Sequence, residues 1–148
     1  MTLLNGTVRA APNLLASGHS MTATKFVTSG DVRLAVYVWG KPPTKQKPRQ
    51  TLVLVHGYPD RAEIWSAIAE QLANQFYVIA YDVRGAGFST VPVGSEAYSF
   101  KYLSSDLRAV IDAVSPDQSV HLVGHDWGAL QSWEALLSGA LDGRVASY

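Results

Sequence analysis

The feature that most constrains this chain is a turn of sequence Gly-His-Asp-Trp-Gly at residues 124–128. An apolar run with Val120 and Leu122 precedes it, and apolar residues follow at helical spacing, namely Leu130, Trp133, Leu136 and Leu137. Such a glycine-flanked turn between strand and helix exposes its central side chain at the carboxyl end of a sheet. That residue is Asp126, whose carboxylate is ionised at neutral pH and can attack an alkyl carbon without a base.

A second motif, His-Gly-Tyr-Pro at residues 56–59, directly follows the apolar run 52–55. The pairing of strand–HGxP with strand–GxDxG resembles the α/β-hydrolase superfamily, and within it the epoxide hydrolase and haloalkane dehalogenase group. The resemblance covers roughly residues 22–148. It implies an α/β-hydrolase fold, in which a mostly parallel sheet is flanked by helices.

The resemblance assigns roles to five residues. Asp126 is the expected nucleophile, which forms an alkyl-enzyme ester. The backbone N–H groups of Trp127 and Tyr58 are the expected oxyanion hole, and His56 and Gly57 shape the turn that presents Tyr58. Two structural interpretations stay open, in which Asp126 only caps a helix and Trp127 only packs in the core. No cofactor and no metal are expected.

Other polar residues are interpreted as structural. The loop after the fourth strand supplies turn glycines and loop hydrogen bonds, from Asp82, Arg84, Gly85, Gly87 and Ser89. Asp60 and Glu63 form a capping pattern for the next helix, and Ser99 is predicted to cap a helix that extends to Val114. The chain has four histidines, and none of them follows Asp126. Members of the group place a water-activating histidine there, so slow ester hydrolysis is expected.

The remaining pattern supports an α/β fold. Residues 22–28 and 31–39 predict a hairpin, and residues 52–55 and 76–81 predict buried strands. Apolar strands that alternate with amphipathic helices favour a mostly parallel sheet covered on both faces. The basic, proline-rich segment 40–50 is predicted to be a solvated loop.

Composition excludes several classes of function. The formal net charge is zero, so no nucleic-acid partner is expected. The absence of cysteine excludes disulfides and thiol catalysis, and it fits a cytoplasmic location. No apolar run is long enough for a transmembrane helix. Residues 1–21 lack the continuous apolar stretch of a signal peptide and are predicted to form a flexible leader.

The resemblance also implies a longer domain than this chain. Residues 22–148 correspond to the amino-terminal half of an α/β-hydrolase domain, truncated after the elbow helix. The helical cap domain, the third acid and the catalytic histidine are expected to be missing, either because the chain is a fragment or because the gene is truncated. The strand before Asp126 is then expected to form a bare edge of the sheet.

Three functions remain open. An aromatic residue at position 58 favours an epoxide hydrolase acting on a small apolar epoxide, and a haloalkane dehalogenase acting on an alkyl halide is the alternative. A non-catalytic remnant is the third. Residues 120–134 and 143–148 also resemble an actinobacterial subgroup in which the hydrolase domain is fused to a carboxyl-terminal short-chain dehydrogenase, so such a domain is an expected partner.

Overall fold

The structure, a computed structural model, describes residues 22–148. The predicted leader at residues 1–21, which includes His19, lies outside the described residues. Within residues 22–148, one mixed sheet has the strand order β1-β2-β4-β3-β5-β6. The strands are Lys25–Ser29 (β1), Val32–Trp39 (β2), Thr51–Val55 (β3), Tyr77–Tyr81 (β4), Val120–Gly124 (β5) and Val145–Ser147 (β6).

The sheet is parallel around its centre and antiparallel at one side. β3 pairs in parallel with β4 and with β5, whereas β1 and β2 form a hairpin that joins β4 in antiparallel fashion. Every residue of β3 and β4 is buried, as expected for central strands that are covered on both faces. The fold class predicted from the sequence is therefore confirmed.

Three helices cover the sheet: α1 (Ser66–Leu72), α2 (Phe100–Val114) and α3 (Trp127–Leu137). The larger apolar cluster joins one face of the sheet to α2 and α3, and it includes Val53, Ile79, Leu107, Val110 and Ile111. A smaller cluster lies on the opposite face and includes Ala69 of α1. No helix in the described part of the chain is both long and apolar enough to cross a membrane.

The apolar spacing after the elbow identifies α3 but not its buried face. Leu130, Trp133 and Leu137 are exposed, although their spacing suggests a core-facing stripe. The side of α3 that faces the sheet instead carries small and polar residues, namely Gly128, Gln131, Ser132 and Ala135. No side chain fits at Gly128, because a Cβ atom there would overlap the β3 backbone at Val55.

Two predictions about helix starts need correction. Asp60 does not cap α1, because a 3₁₀ turn at Ala62–Trp65 comes first and its N-cap residue is Arg61, without a side-chain hydrogen bond. Ser99 is the N-cap residue of α2, as predicted, but its side chain makes no capping bond. Its backbone carbonyl accepts hydrogen bonds from the N–H groups of Tyr102 and Leu103.

The prediction that β5 forms a bare edge is wrong. β6 pairs with β5 in parallel, and the Val120 N–H donates to the Arg144 carbonyl at 2.9 Å. The pairing is short and has an irregular register beside Val120 and His121. Within the described residues, the edge of the sheet on this side is therefore the three-residue strand β6.

Candidate active site

The sheet topology brings the two sequence motifs together. β3 and β5 are parallel neighbours, with Val55 paired with Gly124. The segments that follow them therefore start at the same, carboxyl-terminal end of the strands. The segment after β3 presents Tyr58, and the segment after β5 presents Asp126. The Tyr58 N–H donates to Asp126 Oδ1 at 3.0 Å. The carboxyl ends of parallel strands are where ligands bind in open α/β sheets.

Asp126 is held in an unusual backbone conformation. Its φ is 55° and its ψ is −127°, and it is the one residue other than glycine with a positive φ among residues 22–148. Hydrogen bonds on both sides maintain the turn: the His125 N–H donates to the Val55 carbonyl at 3.0 Å, and the Ala129 N–H donates to the Asp126 carbonyl at 2.9 Å. A strained residue that persists in this way is typical of functional sites.

Three glycines allow the elbow to pack this closely. A Cβ atom at Gly128 would overlap the β3 backbone at Val55, and one at Gly124 would lie 2.7 Å from Ala129 Cα. A Cβ atom at Gly57 would lie 2.6 Å from Asp126 Cβ. Gly57 therefore makes room for the Asp126 side chain beside the Tyr58 N–H.

The surroundings of the Asp126 carboxylate favour its ionised form. Hydrogen bonds from the backbone N–H groups of Trp127 and Tyr58 lower its pKa below the ordinary value of 3.8. The carboxylate also lies at the amino terminus of α3, where the helix dipole favours negative charge. Asp126 and Trp127 are both exposed to solvent. The site therefore presents an accessible anion that is held by two donors.

His56 braces the loop that carries Tyr58. Its Nε2 accepts a hydrogen bond from the Val83 N–H at 3.0 Å, and its Nδ1 lies 2.8 Å from the Gly57 carbonyl. An accepting Nε2 leaves the proton on Nδ1, which donates to the carbonyl. Burial lowers the pKa of His56 and favours this neutral form. The geometry fits an orienting residue, since both ring nitrogens are engaged.

Asp82 connects the segment after β3 to the loop after β4 through hydrogen bonds. Its Oδ1 accepts from the Ala62 N–H at 2.8 Å, and its Oδ2 accepts from the Tyr37 hydroxyl at 2.7 Å and the Phe88 N–H at 2.9 Å. Its backbone carbonyl accepts from the Ser89 hydroxyl. Gly85 and Gly87 have φ values of 83° and 51°, as turn glycines do. These contacts agree with the structural roles expected for this loop.

Arg84 has a partner that sequence reasoning missed. Its Nε and Nη2 donate to the two carboxylate oxygens of Asp106, each at 2.7 Å, and both side chains are almost fully buried. Its Nη1 donates to the Ala97 carbonyl at 2.7 Å. Asp106 lies on the buried side of α2. A charged residue among apolar helix positions was the sequence signal that could have predicted this ion pair. The pair connects the loop after β4 to α2.

A cavity of about 1000 Å³ opens in front of the elbow. Aromatic and apolar side chains form much of its wall, including Tyr58, Tyr98, Phe100, Leu103 and Trp127. The Phe100 and Trp127 rings lie 6.5 Å apart between centroids. Both arginines that line the cavity are paired, Arg61 with Glu63 and Arg84 with Asp106. The cavity therefore suits an uncharged, apolar ligand.

No hydrogen bond joins a histidine ring to the Asp126 carboxylate among the described residues, although His125 acts on that carboxylate electrostatically. The His125 ring packs edge-on against Trp65, with centroids 6.5 Å apart. His121 Nδ1 lies 2.7 Å from the Ser147 hydroxyl, and both nitrogens of His56 are engaged in the loop. Among residues 22–148, no group of three or more histidine, aspartate or glutamate side chains is arranged to hold a metal ion.

Comparison with known proteins agrees with this geometry. The sequence profile of the alpha/beta hydrolase fold family matches residues 50–148. The chain is 40% identical over 126 residues to the probable oxidoreductase EphD of Mycobacterium tuberculosis, an alignment that covers 84% of this chain and 20% of EphD. It is 36% identical over 107 residues to a fluoroacetate dehalogenase of a Burkholderia species, covering 70% of this chain and 33% of that protein.

Solved structures give the same result. The crystal structure of epoxide hydrolase A from Mycobacterium thermoresistibile superposes with a TM-score of 0.71 at 33% identity. The match covers 82% of this chain and 36% of that one. The chain thus spans between a fifth and about a third of the length of these two relatives and of the solved structure.

Proposed function

Because the chain belongs to the α/β-hydrolase family, we propose that it carries the nucleophilic half of an epoxide hydrolase site, with Asp126 as the nucleophile. The observation that carries this proposal is the exposed Asp126 carboxylate at a strained elbow, hydrogen-bonded to the Tyr58 N–H at 3.0 Å. Its lowered pKa supports the role, because an ionised carboxylate needs no base before it attacks carbon.

The hydrogen bond from Tyr58 distinguishes the two carboxylate oxygens. Oδ1 is engaged by the Tyr58 N–H, so Oδ2 is the oxygen that attacks the epoxide carbon. A C–O bond forms to Asp126 and one carbon–oxygen bond of the ring breaks. The ring oxygen stays on the neighbouring carbon as an alkoxide, which takes a proton from solvent water. The product of this step is an ester in which Oδ1 is the carbonyl oxygen.

The oxyanion donors act in the second step. Water attacks the ester carbonyl carbon, and negative charge develops on Oδ1 in the tetrahedral intermediate. The N–H groups of Tyr58 and Trp127 stabilise this charge without reorganisation, an effect worth about 3 kcal/mol for a single donor in a known hydrolase. His56 and Gly57 contribute by holding the Tyr58 N–H in place.

Water activation distinguishes the two half-reactions in this chain. The second step needs a general base. Ring nitrogens of His56 and His121 are engaged with Gly57, Val83 and Ser147, and the His125 ring packs edge-on against Trp65. We therefore expect the 148-residue chain to form the ester and hydrolyse it slowly.

Haloalkane dehalogenation is the second candidate. The 36% identity to a fluoroacetate dehalogenase supports it, because displacement of a halide by a carboxylate forms the same kind of ester. Two observations favour an epoxide over an anionic haloacid. The wall of the cavity includes the aromatic rings of Tyr58, Tyr98, Phe100 and Trp127, and its two arginines are already paired with carboxylates.

We also propose that the hydrolase unit is joined to a second domain with oxidoreductase activity. EphD, of which this chain matches 20%, is named a probable oxidoreductase. That name supports a carboxyl-terminal dehydrogenase domain beside the hydrolase unit in the full-length protein. Sequencing the transcript beyond the codon for Tyr148 tests this: a continuous reading frame with a dinucleotide-binding glycine motif is expected, and an unrelated reading frame would contradict it.

Intact-mass measurement tests the proposed nucleophile. After incubation with styrene oxide, we expect the chain to gain the mass of one epoxide without catalytic accumulation of diol. The Asp126→Asn variant is expected to gain none, whereas Asp60→Asn, which alters a carboxylate that lines the cavity, is expected to react like the unmodified chain. An adduct that persists in Asp126→Asn would contradict the assignment. Sustained diol formation would show that another group activates water.

A further inference from the structure

A second cavity lies beside the amino-terminal end of β3, whereas Asp126 lies at the carboxyl-terminal end of the parallel strands. It has a volume of about 320 Å³ and is formed where the loop between β2 and β3 meets the end of α1. β3 begins beside this cavity and ends beside the elbow, so the two cavities are separated by the length of the strand. The residues that matter here are Lys41, Thr44, Lys47, Arg49 and Asn74, which we call the cationic pocket.

The cationic pocket gathers positive charge that no carboxylate balances. Lys41, Lys47 and Arg49 all line it, and no aspartate or glutamate does so among the described residues. In that part of the chain, the ion pairs within 4.0 Å involve other arginines, namely Arg61, Arg84, Arg108 and Arg144. Like charges that share a small space repel one another, so a bound anion would relieve this repulsion.

The backbone around the pocket is held in place. Gly40 has a φ of 79°, and a Cβ atom there would lie 2.6 Å from the Ala73 carbonyl oxygen, so the loop rests directly on the end of α1. Arg49 Nη1 donates to the same carbonyl at 3.0 Å. Thr44 and Lys47 exchange backbone hydrogen bonds of 3.1 Å in both directions.

The loop sequence adds stiffness to this arrangement. The loop contains Pro42, Pro43 and Pro48, which restrict its backbone. A preorganised site loses less entropy when it binds. The pocket therefore differs from a set of lysines on a freely moving loop.

We propose that the cationic pocket binds a small phosphorylated molecule, through a phosphate or diphosphate group. A guanidinium and two ammonium groups are the charged donors that proteins use for phosphate, and Thr44 and Asn74 add neutral donors. The volume is near the lower limit of pockets for small molecules, enough for a phosphate with a modest organic group. The lining has no aromatic side chain on which a base could stack, so nucleic acid is not favoured.

Calorimetric titration with inorganic pyrophosphate tests the pocket. The double variant Lys41→Gln/Lys47→Gln removes two of the three positive charges that line the pocket, and we expect it to bind pyrophosphate at least about tenfold more weakly. Lys45 is the matched control, because it lies in the same loop and carries the same charge but does not line the pocket. Lys45→Gln is expected to change the affinity by less than about twofold.

Three results would overturn the proposal. Equal weakening by Lys45→Gln would show that the loop attracts anions without a site. Absence of measurable pyrophosphate binding by the unmodified chain would exclude a phosphate pocket. Binding of single-stranded RNA or of phosphatidylserine vesicles that pyrophosphate does not displace would assign the loop to a macromolecular partner. Styrene oxide labelling of the double variant should remain unchanged, so failure here is separate from failure of the Asp126 proposal.

Discussion

At the scale of single residues, Asp126 shows how local sequence determines the chemistry of a side chain. Position 126 has a positive φ, which costs an ordinary residue on the order of 1–3 kcal/mol. Glycines on both sides of Asp126 and at position 57 remove the Cβ atoms that would prevent this turn. The glycine requirements of the elbow are local and could be predicted from the sequence. The nearness of Tyr58, which lies 68 residues from Asp126 along the chain, was an expectation from the resemblance of the paired motifs.

The pKa of Asp126 provides a direct test at this scale. Because backbone N–H donors favour the carboxylate, its folded-state pKa lies below 3.8, and this contribution to stability is lost as the pH falls through the folded value. A ¹³C NMR titration should therefore give the Asp126 carboxyl group a lower midpoint in the folded chain than in the unfolded chain. In urea-unfolded chain the same resonance should titrate near 3.8. A folded-state midpoint at or above the unfolded one would contradict the proposed hydrogen bonds.

At the scale of elements, the two loops of the site depend on contacts that the sequence did not reveal. The chain pattern predicted where β3 and β4 end, because their apolar runs stop at His56 and Asp82. It did not predict that Asp82 receives the Ala62 N–H or that Arg84 pairs with Asp106. Such pairings depend on how separate elements pack, which spacing along one element does not encode.

The buried Arg84–Asp106 pair predicts a large effect of a single substitution. Arg84→Met leaves the Asp106 carboxylate buried without its partner, which typically costs about 3–5 kcal/mol. The double variant Arg84→Met/Asp106→Leu should be considerably more stable than the single one, because no buried charge remains unpaired. Urea denaturation measures the free energy of unfolding of the single and the double variant.

The same helix supplies a control for that measurement. Asp112 is about half exposed and pairs with Arg108 and Arg144. Asp112→Asn should lower the free energy of unfolding by less than Arg84→Met does, because the Asp112 carboxylate is half exposed whereas Asp106 is buried. If Arg84→Met lowered the free energy of unfolding as little as Asp112→Asn does, the buried pair would not hold the loop to α2.

At the scale of the whole molecule, the parallel centre of the sheet was predictable, whereas its edge strand and the buried face of α3 were not. Alternation of apolar strands with helices predicts a parallel centre, and β3, β4 and β5 form it. Periodicity cannot show which face of α3 meets the sheet, because close packing against the β3 backbone selects Gly128 rather than the large apolar residues. As a result Leu130, Trp133 and Leu137 remain exposed on one helix face.

This exposed face predicts self-association. A contiguous apolar surface on a monomer is unfavourable in water and is typically covered by a partner. Analytical ultracentrifugation should show concentration-dependent association that Leu137→Lys reduces. Val93→Lys is the matched control, since Val93 is 98% exposed but lies in a loop away from α3. A monodisperse monomer with a sharp two-state thermal transition would contradict this prediction.

Peptide mapping of the alkylated chain distinguishes Asp126 from every other candidate nucleophile. After exposure to styrene oxide, proteolysis and tandem mass spectrometry locate the modified residue. We expect an ester on the Asp126 side chain, released by mild base with return of the unmodified peptide. A modification located on His125, Asp60 or another residue, with Asp126 unmodified, would contradict it.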